Sequence, residues 1–246
     1  MKNQNRVVLI TGAAQGIGEA IAYQFASLGD IVVLNDFFNF YKMKNVEENI
    51  KNRYGTNYKS FKANISDEAD VYEMVNMIIA EYGKIDVLVN NAAIVKDMDL
   101  QKRDGREFRE TINNNLTGTY IITKKVSENM LENKKGRIVN IVSTNGIDCI
   151  NPESIDYDAS KAGIISLTKN FAKYLAPYIT VNAVAPGWVN TEMNKQLPDD
   201  FLQSEQERIY LRRFAEPEEI ANLVYFLASD EAGYINAETI KIDGGM

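Results

Sequence analysis

Val7-Val8-Leu9-Ile10-Thr11-Gly12-Ala13-Ala14-Gln15-Gly16-Ile17-Gly18 is the stretch on which the rest of the chain turns. Four apolar residues read as a short strand, and the amphipathic pattern of Gly16–Leu28 reads as a helix directly after it. Glycines between a strand and a helix allow a tight turn and let backbone amides approach a pyrophosphate. The helix N-terminus then faces the anion with its positive end. Gly12, Gln15, Gly16, Ile17 and Gly18 are therefore candidate nucleotide-binding residues.

Beyond this stretch, short β-branched runs recur at Ile31–Leu34, Ile85–Val89, Ile138–Val142 and Ile179–Val184. They carry little polar interruption, as strands covered on both faces of a parallel sheet do. Between them, Val46–Arg53, Glu68–Tyr82, Arg106–Leu131, Ile155–Leu175 and Pro217–Ala228 place apolar residues three and four apart, and several begin with Asp, Glu or Pro. Strand and helix in alternation imply right-handed crossovers and a doubly wound parallel sheet. With 246 residues, 45% hydrophobic and 25% charged, and no linker or repeat, one α/β domain spanning 1–246 is expected.

Composition removes several functions. A net charge of −7 argues against binding nucleic acid by neutralising phosphates, and the dense basic cluster Lys134-Lys135 with Arg137 reads as a solvated turn. The polar start, Met1 to Arg6, and the short apolar run after it resemble neither a signal peptide nor a membrane span. The single cysteine, Cys149, excludes an internal disulfide and a multi-thiolate zinc site, so a cytoplasmic protein is expected. The chain has no histidine at all, so any acid or base chemistry needs another group, and no metal site is expected.

In a doubly wound sheet, ligands bind beyond the carboxyl ends of the strands, so the residues just past each strand matter most. The second strand leads to Asp36, close to the ~20-residue separation at which an acidic residue meets the adenosine ribose. A carboxylate about 4 Å from a 2′-phosphate would be repelled by ~4 kcal/mol at an effective dielectric of 20, several hundredfold in affinity. Gln15 adds no cation, so NAD(H) is expected over NADP(H).

Tyrosine with a lysine four residues later occurs three times: Tyr58/Lys62, Tyr120/Lys124 and Tyr157/Lys161. The first falls in a strand and the second lies mid-helix without a polar partner. Only the third opens a helix just after a strand end that delivers Ser143-Thr144.

Taken with those residues, the whole chain resembles the short-chain dehydrogenase/reductase family. It is closest in pattern to the bacterial 3-oxoacyl-acyl carrier protein reductases and related NAD-linked alcohol dehydrogenases. The resemblance runs through Thr11–Gly18, Asn90-Asn91-Ala92-Ala93, Asn115-Leu116-Thr117-Gly118, Ser143, Tyr157-Asp158-Ala159-Ser160-Lys161, Pro186-Gly187 with Thr191, and Asp243-Gly244-Gly245. It implies a Rossmann-type α/β/α sandwich, interconversion of a small-molecule carbonyl and alcohol, a homotetramer, and a catalytic tetrad of Asn115, Ser143, Tyr157 and Lys161. It also implies that Asn64, Ile65, Asn90, Asn91, Ala92, Pro186, Gly187, Val189 and Thr191 line the cofactor together with Tyr157 and Lys161.

Chemistry agrees with the tetrad. Bringing a tyrosine from its reference pKa near 10 to neutrality costs about 4 kcal/mol, and an ammonium about 5 Å away supplies ~3 kcal/mol at an effective dielectric of 20. Ser143 would hydrogen-bond the substrate oxygen. Two positions depart from the family pattern: Asn64 stands where Asp is usual, and Ala93 where Gly is usual. Val189 to Phe214, with Met193, Leu197, Phe201 and Leu202, resembles a variable lid, and Ala176-Pro177-Tyr178 lacks the arginine frequent in carrier reductases. A nucleotide sensor on the same fold is the competing expectation, although it has no use for Ser143, Tyr157 and Lys161 together.

Overall fold

The computed structural model describes residues 5–148, 151–192, 194 and 197–246. Cys149, Met193 and the first four residues therefore lie outside the described residues. Seven strands form one fully parallel sheet: β1 Val7–Thr11, β2 Ile31–Asp36, β3 Tyr58–Lys62, β4 Val87–Asn90, β5 Gly136–Ile141, β6 Ile179–Pro186 and β7 Thr239–Ile242. Their order, β3-β2-β1-β4-β5-β6-β7, places the reversal between β1 and β4.

Alternation along the strands builds the two flanking layers. Val8 and Ile10 of β1 point to one face, where they meet α1 (Gly16–Ser27), α2 (Met43–Tyr54) and α8 (Pro217–Leu227). Val7 and Leu9 point to the other, against α3 (Glu68–Tyr82), α5 (Gly118–Glu132) and α6 (Ile155–Leu175). Phe25, Ile21, Ile78 and Ile122 are among the largest side chains sealed in these two cores. At about 1.5–3 kcal/mol for each large apolar side chain buried, the layers supply the main drive for closing the sandwich.

Local signals start several helices where the sequence predicts. Asp67 caps α3 by accepting from the amides of Ala69 and Asp70, and Glu216 with Glu219 forms a capping box at α8, where Pro217 takes the first turn. Lys134 and Lys135 sit on an exposed turn between α5 and β5, but Arg137, expected to join them, lies in β5 with its side chain 17% exposed and paired with Asp230.

Three features differ from the sequence reading. The predicted helix Arg106–Leu131 is two helices, α4 (Gly105–Ile112) and α5, joined by a π-helical turn over Asn113–Thr117. The apolar spacing runs on through that wide turn, so periodicity alone does not show it. β7 has no counterpart in the predicted strands, being four residues long with Lys241 among them. α7 (Asp199–Arg208) has none among the predicted helices, because eight of its ten residues, all but Phe201 and Leu202, are polar.

Among the described residues, no helix is long and apolar enough to cross a membrane.

Candidate active site

The carboxyl ends of the strands open onto a cleft of about 1610 Å³, larger than the ~300–1,000 Å³ of a single drug-sized site and so roomy enough for a dinucleotide and a substrate together. Gly12, Gln15, Gly16 and Ile17 line one wall. Gly12 holds φ +65°, and a Cβ there would come within 2.8 Å of Ala92 Cα, so only glycine allows the β1 and β4 ends to approach so closely. Gly18 does not line the cleft. A Cβ on it would stand 2.1 Å from the Gly12 carbonyl oxygen, so its role is to seat α1 against the strand end.

Side chains lock the two strand ends. Asn91 Nδ2 donates to the carbonyls of Thr11 and Gly12, both at 3.0 Å, and Thr11 Oγ1 accepts from the amides of Asn91 and Ala92 at 3.0 Å. Asn91 and Ala92 line the cleft, whereas Asn90, expected there, is buried away from it and donates to Thr123 Oγ1 and Asn140 Oδ1. Position parity explains the correction: neighbours on a strand face opposite sides of the sheet.

At the adenosine end, Asp36 closes β2 and lines the cleft, its carboxylate accepting from the Asn39 amide at 2.8 Å and the Ala14 amide at 3.4 Å. Asn64 and Ile65 lie beside it, and the Asn64 amide oxygen accepts from Ser66. Gln15 carries no charge, but the Lys42 ammonium donates to its side-chain oxygen, so a cation does stand near this end. Sequence spacing gives no sign of it, because Lys42 reaches back from the turn before α2.

At the other end, Ser143, Tyr157 and Lys161 all face the cleft. The 3₁₀ turn after β5 packs on α6 so closely that a Cβ on Gly146 would lie 2.8 Å from the Ala162 amide nitrogen. This contact brings Ser143 into hydrogen bonding with the half-buried Tyr157. Lys161, 2% exposed, donates to the Ile141 carbonyl at 2.7 Å and lies 5.4 Å from the centre of the Tyr157 ring. Burial pushes the Tyr157 phenol up to about 12, partly offset by the Ser143 hydrogen bond, while nearby Asp158 and Asp97 add to the rise. Burial also lowers the Lys161 amine to about 7. Desolvation thus leads for both groups, and the expected lowering of the phenol by the Lys161 ammonium is not among its causes.

The Lys161 value has a direct consequence for stability. Unfolded, the amine holds its proton up to about pH 10.5; folded, only to about pH 7. Folding below pH 7 therefore carries a penalty of up to about 5 kcal/mol that fades as pH rises from 7 to 10.5. Lys161→Met removes that penalty but strands the Ile141 carbonyl. The variant is expected to melt higher than the parent at pH 6 and lower at pH 10, and a pH-independent difference in melting temperature would refute the burial argument.

Asn115, fully buried in the π turn, does not line the cleft. Its side chain pairs with the backbone of Ile94, accepting from its amide and donating to its carbonyl at 2.8 Å each, and donates to Ser160 Oγ at 3.1 Å. It thus touches the wall of the cleft and the residue preceding Lys161. Asn182 is structural, accepting from the Glu238 amide and donating to the Ile235 carbonyl.

Pro186, Gly187, Val189 and Thr191 run from the end of β6 along the cleft, and a Cβ on Gly16 would lie 3.5 Å from Thr191 Cγ2. Trp188, overlooked in the sequence, lines the cleft between them. It stacks on Phe214, meets Phe201 edge-on, and donates through Nε1 to Glu205 on α7 at 3.0 Å. Leu197 and Phe201 complete this apolar wall.

A sequence family described as enoyl-(acyl carrier protein) reductase matches residues 12–246. The 3-oxoacyl-[acyl-carrier-protein] reductase of Thermotoga maritima is 41% identical over all of this chain and 99% of its own. The chain belongs to the short-chain dehydrogenase/reductase family. The corresponding reductase of Staphylococcus epidermidis is 42% identical, covering 98% of this chain and 99% of its own. Among solved structures, NAD⁺-bound xylitol dehydrogenase superposes with a TM-score of 0.93 at 30% identity over both full chains, and levodione reductase with 0.88 at 32% identity over 97% and 96%. As a member of this family the protein is an oxidoreductase that uses a nicotinamide cofactor to interconvert a ketone and an alcohol. The glycine cradle and the size of the cleft fit such a cofactor. A nucleotide sensor without turnover finds no support in these relatives.

Proposed function

We propose that the protein reduces a 3-oxoacyl-type ketone, or another small carbonyl compound, to the secondary alcohol with NADH, and that Tyr157 is the proton donor. The observation that carries this reading is the meeting of Ser143, Tyr157 and Lys161 at one end of the cleft while Asp36 closes the other. The nicotinamide supplies the hydride when bound. Ser143 holds the substrate oxygen by hydrogen bonding, Tyr157 gives that oxygen its proton, and Lys161 beside the phenol replenishes it. A phenol pushed up to about 12 is fully protonated at neutral pH, the form that reduction requires. Asn115 completes the tetrad from behind, fixing Ile94 and Ser160.

Gly12, Gly16, Ile17, Asn91, Ala92 and the loop from Pro186 to Thr191 are assigned to the cofactor, with Gln15 and Asp36 on its ribose. Asn64, whose amide oxygen is engaged by Ser66, would meet the base through its amide nitrogen. Asp36 favours NAD(H) over NADP(H) by charge. The substrate class is taken from the names of the 41–42% identical relatives. Among the described residues, the cations lining the mouth, Lys96 and Arg208, are each paired with a carboxylate, Glu110 and Glu205, which favours a substrate that needs no acidic carrier. The protein is assigned to the cytoplasm on its cysteine content and to a homotetramer on the resemblance, with half-exposed Phe108 and Tyr120 on α4 and α5 available to pair helices.

The test is a ketone panel monitored by loss of reduced-nicotinamide absorbance, with NADH and NADPH in parallel. The panel includes a 3-oxoacyl thioester with and without its carrier, and the ketones corresponding to the xylitol and levodione reactions. Turnover of the thioester, faster with NADH and independent of the carrier, is expected. No turnover of any ketone despite NADH binding would defeat the proposal.

A further inference from the structure

The chain between β4 and α4 forms a wall of the cleft with Ala92 to Asp97, yet it contains no helix or strand. Asn115 grips it at Ile94. Its far end is held by Arg103. One guanidinium nitrogen donates to the carbonyls of Lys96 and Glu153, and the other to the Asp156 carboxylate. The Met98 amide adds a bond to the Glu153 carbonyl at 2.9 Å. Asp156 is the second residue of α6, and its other carboxylate oxygen accepts from the Tyr157 amide at 3.0 Å. One carboxylate therefore joins the cleft wall to the residue that carries the phenol.

This pair is unlike the others on the molecule. The Arg103 and Asp156 side chains are 2% and 0% exposed, and among the described residues no other ion pair is buried on both sides to that degree. Burying an ion pair costs several kcal/mol for each ion, and apolar residues of similar volume are frequently as stable or more so. Arg103 Nε is also buried without a partner, a further loss. Stability is thus a poor reason for the pair, whereas geometry is a good one. The first turn of a helix is where amides lack partners within the helix, and that is where Tyr157 sits.

We propose that Arg103 and Asp156 are positioning residues, a buried latch that clamps the cleft wall to the first turn of α6 and holds the Tyr157 phenol at its working distance. The proposal rests on Tyr157 being the proton donor. A misplacement of about 1 Å at a reacting group costs on the order of a hundredfold in rate.

The decisive variant is Arg103→Met with Asp156→Leu, which exchanges the ion pair for apolar residues. It should stay folded and keep its Kd for NADH, its melting temperature lowered at most modestly by the partners that the Lys96 and Glu153 carbonyls and the Tyr157 amide lose. Its kcat should fall roughly ten- to a hundredfold. The primary isotope effect with NADH deuterated at the transferred hydrogen should grow, because chemistry becomes limiting. Arg103→Lys, which keeps the charge but loses the planar fork, should show the same pattern more weakly. The latch is refuted by a folded double variant with parental kcat and isotope effect, by a loss confined to NADH affinity, or by a double variant that cannot fold while Arg103→Lys is unchanged. Tyr157→Phe is measured alongside. If it keeps the parental kcat, the reading of the site itself fails; if its kcat collapses while the double variant matches the parent, only the latch fails.

Discussion

Tyr157→Phe should lower kcat by roughly a hundredfold to ten-thousandfold, the range that a positioned proton donor contributes. The substitution removes one hydroxyl and leaves the ring, so the wall beside Lys161 keeps its shape. Affinity for NADH should stay nearly unchanged, because the glycine loop, Asp36 and the Pro186–Thr191 loop are untouched. Fluorescence titration with NADH and steady-state kinetics on the same preparation separate the two quantities. A parental kcat would take the phenol out of the mechanism. The Ser143 hydroxyl would lose the phenol but keep the Asn145 amide, from which it accepts at 3.2 Å, so the strand end should hold its place in the variant.

The second large effect is expected at Asp36. Removing its charge with Asp36→Ala should narrow the preference for NADH over NADPH by up to several hundredfold, the size of the repulsion it exerts on a phosphate about 4 Å away. The structure sharpens this expectation, since Lys42 already stands at the Gln15 side chain and can attract a phosphate once the carboxylate is gone. The gain should therefore appear mainly as a lower KM for NADPH, and adding Lys42→Ala to the variant should reverse part of it. An unchanged ratio of kcat/KM for the two cofactors would defeat the charge argument.

Much of the fold and of the site is legible in the residues alone. The glycine loop declares itself because a strand, three glycines and an amphipathic helix succeed one another without a break, although the reason Gly12 must be glycine, the approach of Ala92, is not local. The three Tyr/Lys pairs are separable for a related reason. Tyr58 and Lys62 belong to β3, and Tyr120 lies 44% exposed on α5 against Phe171, whereas only Tyr157 faces a strand end that carries a hydroxyl.

The features that escape the sequence are those that depend on distant partners. Arg103 and Asp156 stand 53 positions apart, and neither residue type nor spacing marks them as a buried pair. Lys42 reaches Gln15 across 27 positions. The pKa of Lys161 comes from being sealed by both β5 and α6, so a sequence shows the amine but not its burial. Asn90 is misplaced by one position on a strand, enough to turn it to the opposite face of the sheet.

The π turn at Asn113–Thr117 has one more effect. A wide turn holds an extra residue compared with a regular helix, and each residue rotates a helix by about 100°. Shortening the asparagine run by a single codon would wind the helix back to uniform pitch and swing the carboxamide of Asn115 away from both Ile94 and Ser160. The length of the asparagine run is therefore held as firmly as the identity of Asn115, and Asn114 is tied down too, since it lines the cleft and donates to the Glu110 carbonyl at 2.9 Å.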